Sequence, residues 1–142
     1  MPAKPAAQSF RDLQVWQRSI DLTTAIYRLS QTFPREELYG LTGQMRRAAL
    51  SIPGNIAEGQ GRLAVKEFRH FLGIARGSNF ERQTQLEVAR RLKLGESKEI
   101  DSAEALSHKI GKILYALLLS LKSTHELTDN RQPTTDNSLE PL

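Results

Sequence analysis

Basic side chains are the residues of this sequence whose number and spacing most clearly point to a chemistry. Residues 35–93 contain eleven Lys or Arg against six Glu, a formal charge of +5, whereas the whole chain of 142 residues has a net charge of +4. Such side chains bind phosphate groups, because they neutralise charge and release bound counterions. The residues that we predict to contact RNA or DNA are Arg46, Arg62, Lys66, Arg69, Arg76, Arg90 and Arg91.

A solvated charged helix face is the alternative interpretation of these cations. Arg90 and Arg91 stand near the predicted end of a helix, where positive charge is favourable for the helix dipole. Aromatic residues make up 6% of the sequence and few lie among the cations, so we expect no sequence-specific stacking of single strands. The binding hypothesis therefore depends on charge alone.

A polar stripe is predicted on the helix that contains the segment SIPGNIAEGQGR. At about 100° per residue its members fall on one line, and they are Gln44, Arg47, Ser51, Asn55 and Glu58. We interpret the stripe as a structural seam between helices or subunits, because buried polar groups are usually satisfied by hydrogen bonds. In that seam Asn55 and Glu58 would bond side chains of the first or third helix, and Arg47 would pair with an acid. A ligand-binding or catalytic stripe is the alternative.

Pro53 lies inside the same helical pattern, at a position that we place away from the apolar face. An interior proline removes one helix hydrogen bond, which predicts a kink and costs about 3 kcal/mol. We expect the packing of Ile52 and Ile56 to offset that cost.

Other chemistry-bearing patterns are incomplete. Glu67 and His70 have the Glu-x-x-His spacing of di-iron bundles, but such a site needs a second copy and two further carboxylates. No Gly-x-Ser-x-Gly or Gly-Lys-Ser/Thr motif occurs. We therefore predict no metal, no cofactor and no enzymatic activity, and we interpret Gly73 and Gly77 as points of close helix approach.

The composition favours a helical protein of the cytoplasm. The chain has no Cys, which excludes disulfides and cysteine-ligated zinc and is typical of cytosolic proteins. Its longest apolar run, Ile113 to Leu119, is too short to cross a bilayer. We expect a cytoplasmic protein without a membrane partner.

Four helices must position these residues. Apolar spacing predicts them at about residues 12–32, 38–58, 64–94 and from Ser97 or Ser102 onward, with Gly95 as a helix cap. Short connections make neighbouring helices antiparallel. We predict an all-α, up-and-down four-helix bundle over residues 10–127, with disordered tails at residues 1–9 and 128–142.

Three segments resemble the 23S ribosomal RNA intervening-sequence protein family: FRDLQVWQRSIDL, FPREELYGLTGQMRRAALSIPGNIAEGQGR and EFRHFLGIARGSNFE. The resemblance implies a small helical bundle that assembles as a ring-shaped homopentamer. Some family genes lie inside insertions of ribosomal RNA genes. A more distant relative serves retroelements, where its basic ring binds nucleic acid and a reverse transcriptase. Most members have no established activity.

The sequence departs from the family pattern after Ser78. The family usually continues as a Leu-rich run of the form GSLxELETQL, whereas this chain reads GSNFERQTQL, with Asn79 and Arg82 in place of leucines. The surface of the second half of the third helix is therefore not inferred from the family.

The residues and the resemblance together predict an oligomeric, non-enzymatic binding or scaffold protein. It would contact RNA or DNA through its basic surface and could also bind a protein partner. The alternative is a structural homo-oligomer that docks proteins only, through apolar positions near Trp16 and Tyr39.

Overall fold

Four helices form the protein in the computed structural model, which describes residues 9–128 and the side chains of residues 9–121. They are α1 (Gln14–Ser30), α2 (Gly43–Gln60), α3 (Val65–Arg91) and α4 (Ser97–Thr128). The described residues contain no strand. Each helix packs against its neighbours in sequence, and α1 also packs against α4. The all-α prediction is confirmed, and the four helices close into a bundle.

The predicted tails fall almost wholly outside the described residues. From the first, only Ser9 is described, and its hydroxyl accepts a hydrogen bond from the Arg11 N–H at the start of a short 3-10 turn (Phe10–Asp12). From the second, only Thr128 is described, as the last residue of α4.

The core lies along the bundle axis and follows the predicted helical spacing. The buried apolar side chains that recur at helical spacing include Leu13, Leu22, Ile26, Leu29, Met45, Ala48, Ile52, Ile56, Phe68, Leu72, Ala75, Leu86, Ala89, Ala103, Ile110, Leu114 and Leu121. Trp16 and Leu106 pack against this core while remaining half-buried. Each helix therefore buries one apolar face and leaves the opposite face to solvent.

The connection between α1 and α2 is less regular than predicted. A 3-10 turn (Arg35–Glu37) is followed by a π-helical turn (Leu38–Thr42), in which Gly40 leaves helical dihedral angles at φ −111° and ψ −114°. The Glu37 side chain accepts a hydrogen bond from the Leu41 N–H at 3.3 Å. Regular helix therefore begins at Gly43 and not at Leu38.

Pro53 is buried, so the prediction that it lies away from the apolar face is wrong. The α-helix α2 continues through it. A proline has no N–H to donate to the carbonyl four residues earlier, which here belongs to Ala49. The Thr23 hydroxyl of α1 shares its one proton between the Ser19 carbonyl of its own helix at 2.8 Å and that Ala49 carbonyl at 3.1 Å. A neighbouring helix thus partly satisfies the group that the proline leaves unpaired.

The turn from α3 to α4 needs two residues in the left-handed region, Lys93 (φ 59°) and Gly95 (φ 74°). The Leu94 N–H donates to the Ala89 carbonyl at 2.9 Å and closes the end of α3. A Cβ at Gly95 would lie 2.5 Å from Leu29 Cδ1, so this glycine is required by contact with α1 as well as by its φ. Of the two predicted starts, α4 begins at Ser97.

Candidate nucleic-acid interface

A groove of about 670 Å³ runs along the outer surface between α3 and α4. From α3 it is lined by Lys66, Arg69, His70, Gly73, Arg76, Gly77 and Phe80, and from α4 by Tyr115, Leu118 and Leu119. We call it the basic groove. Three of the predicted nucleic-acid-binding residues line it, and among residues 9–121, whose side chains the structure describes, no acidic side chain does.

The periodicity of α3 explains why these side chains lie together. The lining positions recur at steps of three and four residues, so they share one face of the helix. Phe68, Leu72 and Ala75 lie on the opposite face and are fully buried. Burial of that apolar face fixes the rotation of α3 and thereby presents Lys66 and Arg76 outward.

Two aromatic residues of the groove were not singled out by the sequence analysis. The guanidinium carbon of Arg76 lies 5.1 Å from the ring centroid of Phe80 and 5.4 Å from that of Tyr115. Both rings are about half exposed, at 48% and 52%. The helical step from Arg76 to Phe80 could have indicated one contact, but only the packing of α4 on α3 brings in Tyr115.

Gly73 and Gly77 do not mark a close approach of helices within the chain, so that prediction is wrong. Both are exposed, and a Cβ at either position would meet no neighbouring atom of the described side chains within 4 Å. Because neither residue has a side chain, the basic groove is open down to the α3 backbone at these positions. The close approach is at Gly59 instead, where a Cβ would lie 2.9 Å from Phe71 Cβ.

Arg62 is not among the residues that line the basic groove. Its guanidinium forms an ion pair with Glu58 at 2.7 Å and stands 4.9 Å from the Phe71 ring centroid. The ion pair joins exposed side chains and partly neutralises the charge that Arg62 could offer a phosphate.

Arg46 belongs to a different part of the bundle, the contact between α1 and α2. Its Nε donates to the Ser30 hydroxyl at 2.9 Å, and its guanidinium lies over the Tyr27 ring at 4.6 Å. These contacts indicate that Arg46 helps to hold α2 against α1. Arg46 therefore does not lie in the basic groove with Lys66, Arg69 and Arg76.

Arg90 and Arg91 are engaged in ion pairs near the end of α3. Arg90 reaches Asp101 at 2.7 Å and Glu104 at 2.6 Å, which links α3 to α4. Hydrogen bonding to Asp101, followed by the bond and charge of Glu104, raises the pKa of Arg90. Arg91 pairs with Glu87 at 2.9 Å, and that hydrogen bond is the largest cause that lowers the pKa of Glu87. Both side chains are therefore engaged in ion pairs within the bundle, and those of Arg90 connect α3 to α4.

A second groove of about 560 Å³ adjoins these ion pairs and shares Phe80 with the basic groove. Its ionisable lining residues are Glu87, Arg91, Glu104 and His108. Two carboxylates and one permanent cation make this second groove unsuitable for phosphate groups, unlike the basic groove.

The polar stripe of α2 is partly a seam between helices. Ser51 accepts a hydrogen bond from the Ser78 hydroxyl of α3 at 2.9 Å. Asn55 donates to the carbonyl and hydroxyl of Ser51 in its own helix, and Glu58 pairs with Arg62. The prediction that Asn55 and Glu58 reach another helix is therefore wrong within the chain.

The remaining members of the stripe, Gln44 and Arg47, are exposed. Within residues 9–121, Arg47 takes part in no ion pair, so its predicted pairing with an acid is not found in this chain.

Polar residues in the core of α3 are the main feature that sequence reasoning missed. Asn79 and Ser107 form two hydrogen bonds between α3 and α4. Asn79 Nδ2 donates to the Ser107 carbonyl at 3.0 Å, and the Ser107 hydroxyl donates to Asn79 Oδ1 at 2.7 Å.

The second polar residue in the core, Arg82, is fully buried and donates through Nη2 to the Ser78 carbonyl at 3.2 Å. Burial lowers the pKa of Arg82 to about 10, against a smaller raising effect of Glu81. Asn79 and Arg82 are the two positions at which the sequence departs from the leucines of the resembled family.

Neither a metal cluster nor a membrane span is found in the part of the chain that the structure describes. There, no group of three or more His, Cys, Asp or Glu is arranged to hold a metal ion, and Glu67 and His70 are both exposed. No described helix is sufficiently long and apolar to cross a bilayer.

Comparisons with known proteins agree with the helical architecture. A protein of unknown function from the S23 ribosomal protein family of Bacteroides thetaiotaomicron has a similar structure, with a TM-score of 0.68 at 24% identity over 73% of this chain and 97% of that chain. At this identity the likeness shows the fold. Curated protein sequences give no significant match. Residues 11–116 match the family model described as 23S rRNA-intervening sequence protein. Because this match spans most of the chain, the protein belongs to the 23S rRNA-intervening sequence protein family.

Proposed function

We propose that this protein is a non-enzymatic, oligomeric binding protein of the cytoplasm that contacts RNA or DNA through the basic groove. The observation that carries the proposal is the placement of Lys66, Arg69 and Arg76 along one groove, in which none of the described lining residues carries a carboxylate. Phosphate groups bind such a surface by charge, with release of counterions.

We expect the protein to form a homo-oligomer, with the pentamer of the resembled family as the expected form, and such an assembly would bind a polynucleotide more tightly than one subunit does. Each added subunit repeats the basic groove, so several grooves could engage one polynucleotide. The effective concentration at the second groove then raises the overall affinity beyond that of a single groove.

The test is fluorescence-anisotropy titration of nuclease-treated protein with labelled RNA and DNA over a salt series. We expect log affinity to fall linearly with log salt, with a slope that reports the number of phosphate contacts. Replacing Lys66, Arg69 and Arg76 together by Gln should reduce that slope by about two to three per groove. Arg91→Gln is the matched control, because Arg91 is paired with Glu87 and lies outside the basic groove.

An equal loss in the triple variant and in Arg91→Gln would refute the placement of the site. Full retention of binding by the triple variant would do the same. Circular dichroism of each variant establishes that the bundle is intact.

A structural oligomer that docks only proteins is the second candidate, and exposed apolar side chains support it. Tyr39 is 92% exposed and Leu63 is 97% exposed. Trp16, which the sequence analysis named with Tyr39, packs instead against Phe10 at a ring-centroid distance of 5.2 Å. If no polynucleotide binds at low salt, affinity capture with wild type and a Tyr39→Ser, Leu63→Ser variant would test this candidate.

A further inference from the structure

Phosphate binding by charge does not account for the aromatic side chains of the basic groove. Phe80 and Tyr115 are 48% and 52% exposed there, and Leu119 beside them is 46% exposed. Half-exposed aromatic rings beside cations are the arrangement that proteins use to hold unpaired bases, since every base has a face that can stack. A duplex presents mainly its phosphates, because its bases are stacked on one another.

The groove provides the two kinds of contact that a single strand requires. Lys66 and Arg69 line one part of it, whereas Arg76 lies beside the rings of Phe80 and Tyr115. An arginine guanidinium is planar and can itself stack on a base. Gly73 and Gly77 add no side chain, and the space above them is open to 4 Å, so a flat ligand can approach the helix backbone between the two regions.

Charge favours this stretch of α3 for the strand. Beyond Phe80, the cation that lines the second groove, Arg91, is already paired with Glu87. That groove also contains Glu104, so it offers a phosphate less than the basic groove does. From Lys66 to Phe80 the helix rises by about 21 Å, which suits a short single strand.

We infer that the basic groove binds a single-stranded polynucleotide, with bases stacked on Tyr115 and Phe80 and phosphates held by Lys66 and Arg69. This inference rests on the proposed function and names the substrate class of the same site. The composition led us to expect binding by charge, without sequence-specific stacking. The packing of α4 on α3 places Tyr115 beside Arg76 and so adds a ring on which a base of any sequence can stack.

The experiment compares labelled single-stranded RNA, single-stranded DNA and an RNA duplex of equal length with wild type, Tyr115→Leu and Tyr115→Phe. Tyr115→Leu keeps an apolar side chain but removes the ring, and should weaken single-strand binding by about tenfold while leaving the salt slope unchanged. Tyr115→Phe keeps the ring and should retain the affinity. A strand that contains 2-aminopurine reports stacking directly, because the stacked base loses fluorescence.

Each outcome separates the inference from the proposed function. Single-strand preference, loss in Tyr115→Leu and quenching of 2-aminopurine would establish stacking in the groove. Salt-dependent binding that favours the duplex, or that is equal in Tyr115→Leu and wild type, would overturn the stacking and leave the charge-based function intact. Absence of binding by every polynucleotide at low salt would overturn both. Tyr115 is half exposed on α4, and circular dichroism would show that its variants remain folded.

Discussion

Replacing the buried Arg82 by Leu should stabilise the protein. The side chain is 0% exposed, and its Nε and Nη1 have no hydrogen-bond partner among the described residues. Only Nη2 donates to a defined acceptor, the Ser78 carbonyl at 3.2 Å. A buried charge that lacks partners costs free energy, and its replacement by an apolar side chain of similar volume is often stabilising.

The size of the effect follows from the ionisation of the guanidinium. Burial lowers the pKa of Arg82 from its ordinary value to about 10. This corresponds to a cost of about 3 kcal/mol for holding the cation in the folded state, at 1.36 kcal/mol per unit. The lost hydrogen bond to Ser78 offsets about 1.5–3 kcal/mol, whereas burial of a Leu side chain contributes a similar amount. We therefore expect a net gain of about 1–3 kcal/mol in the free energy of unfolding.

The pH dependence of this cost has a definite sign. Because the folded pKa is lower than the unfolded one, both states are protonated at neutral pH and the full cost is present there. The cost is relieved only as the pH rises through about 10. The gain from Arg82→Leu should therefore be constant across the neutral range.

The assay is urea denaturation at a fixed protomer concentration, since the stability of an oligomer depends on concentration. Arg82→Lys is the matched control, because it keeps a buried cationic group and should give no gain. If Arg82→Leu lowered the free energy of unfolding by more than about 1 kcal/mol, the reasoning would be refuted. Such a result would mean that the Arg82 guanidinium has hydrogen-bond partners other than the Ser78 carbonyl.

Two further predictions concern α2 and α3. Gly59→Ala should destabilise the protein by about 1–3 kcal/mol in urea denaturation, because its Cβ would lie 2.9 Å from Phe71 Cβ and 3.3 Å from the Phe68 carbonyl. Gly73→Ala, the control in open space, should stabilise by about 1 kcal/mol, and a loss there would mean that a second molecule covers the position. Glu87→Gln should destabilise near neutral pH, since the hydrogen bond from Arg91 lowers the pKa of Glu87 from 4.5. That contribution is present above pH 4.5 and is lost as the pH falls through the folded value, so wild type and Glu87→Gln should converge in acid. A difference that persisted unchanged into strong acid, where the carboxyl is protonated in both states, would contradict the ion-pair account.

The regular helices and their apolar faces could be predicted because both depend on local spacing. Phe68, Leu72 and Ala75 recur at helical steps, and burial of that face also fixed where Lys66 and Arg76 point. The sequence placed Arg90 and Arg91 among the binding residues since a positive charge is visible in a sequence and its ion-pair partner is not. Asp101 and Glu104 come into contact with Arg90 only because α4 packs back along α3.

Other features depended on contacts between residues that are far apart in the chain. The cost of Pro53 was predictable, but the group that relieves it, the Thr23 hydroxyl, lies on a different helix. The open space at Gly73 and Gly77 is likewise a tertiary feature, because no described side chain packs against α3 at these two positions.

The sequence by itself determined the fold class, the family and the basic character of the surface, because each depends on residue type and local order. Only the tertiary structure decided which cations lie together, which are used in ion pairs and which aromatic rings join them. Tyr115 is 35 positions from Phe80 in the sequence. Both reach one arginine because two antiparallel helices pack side by side.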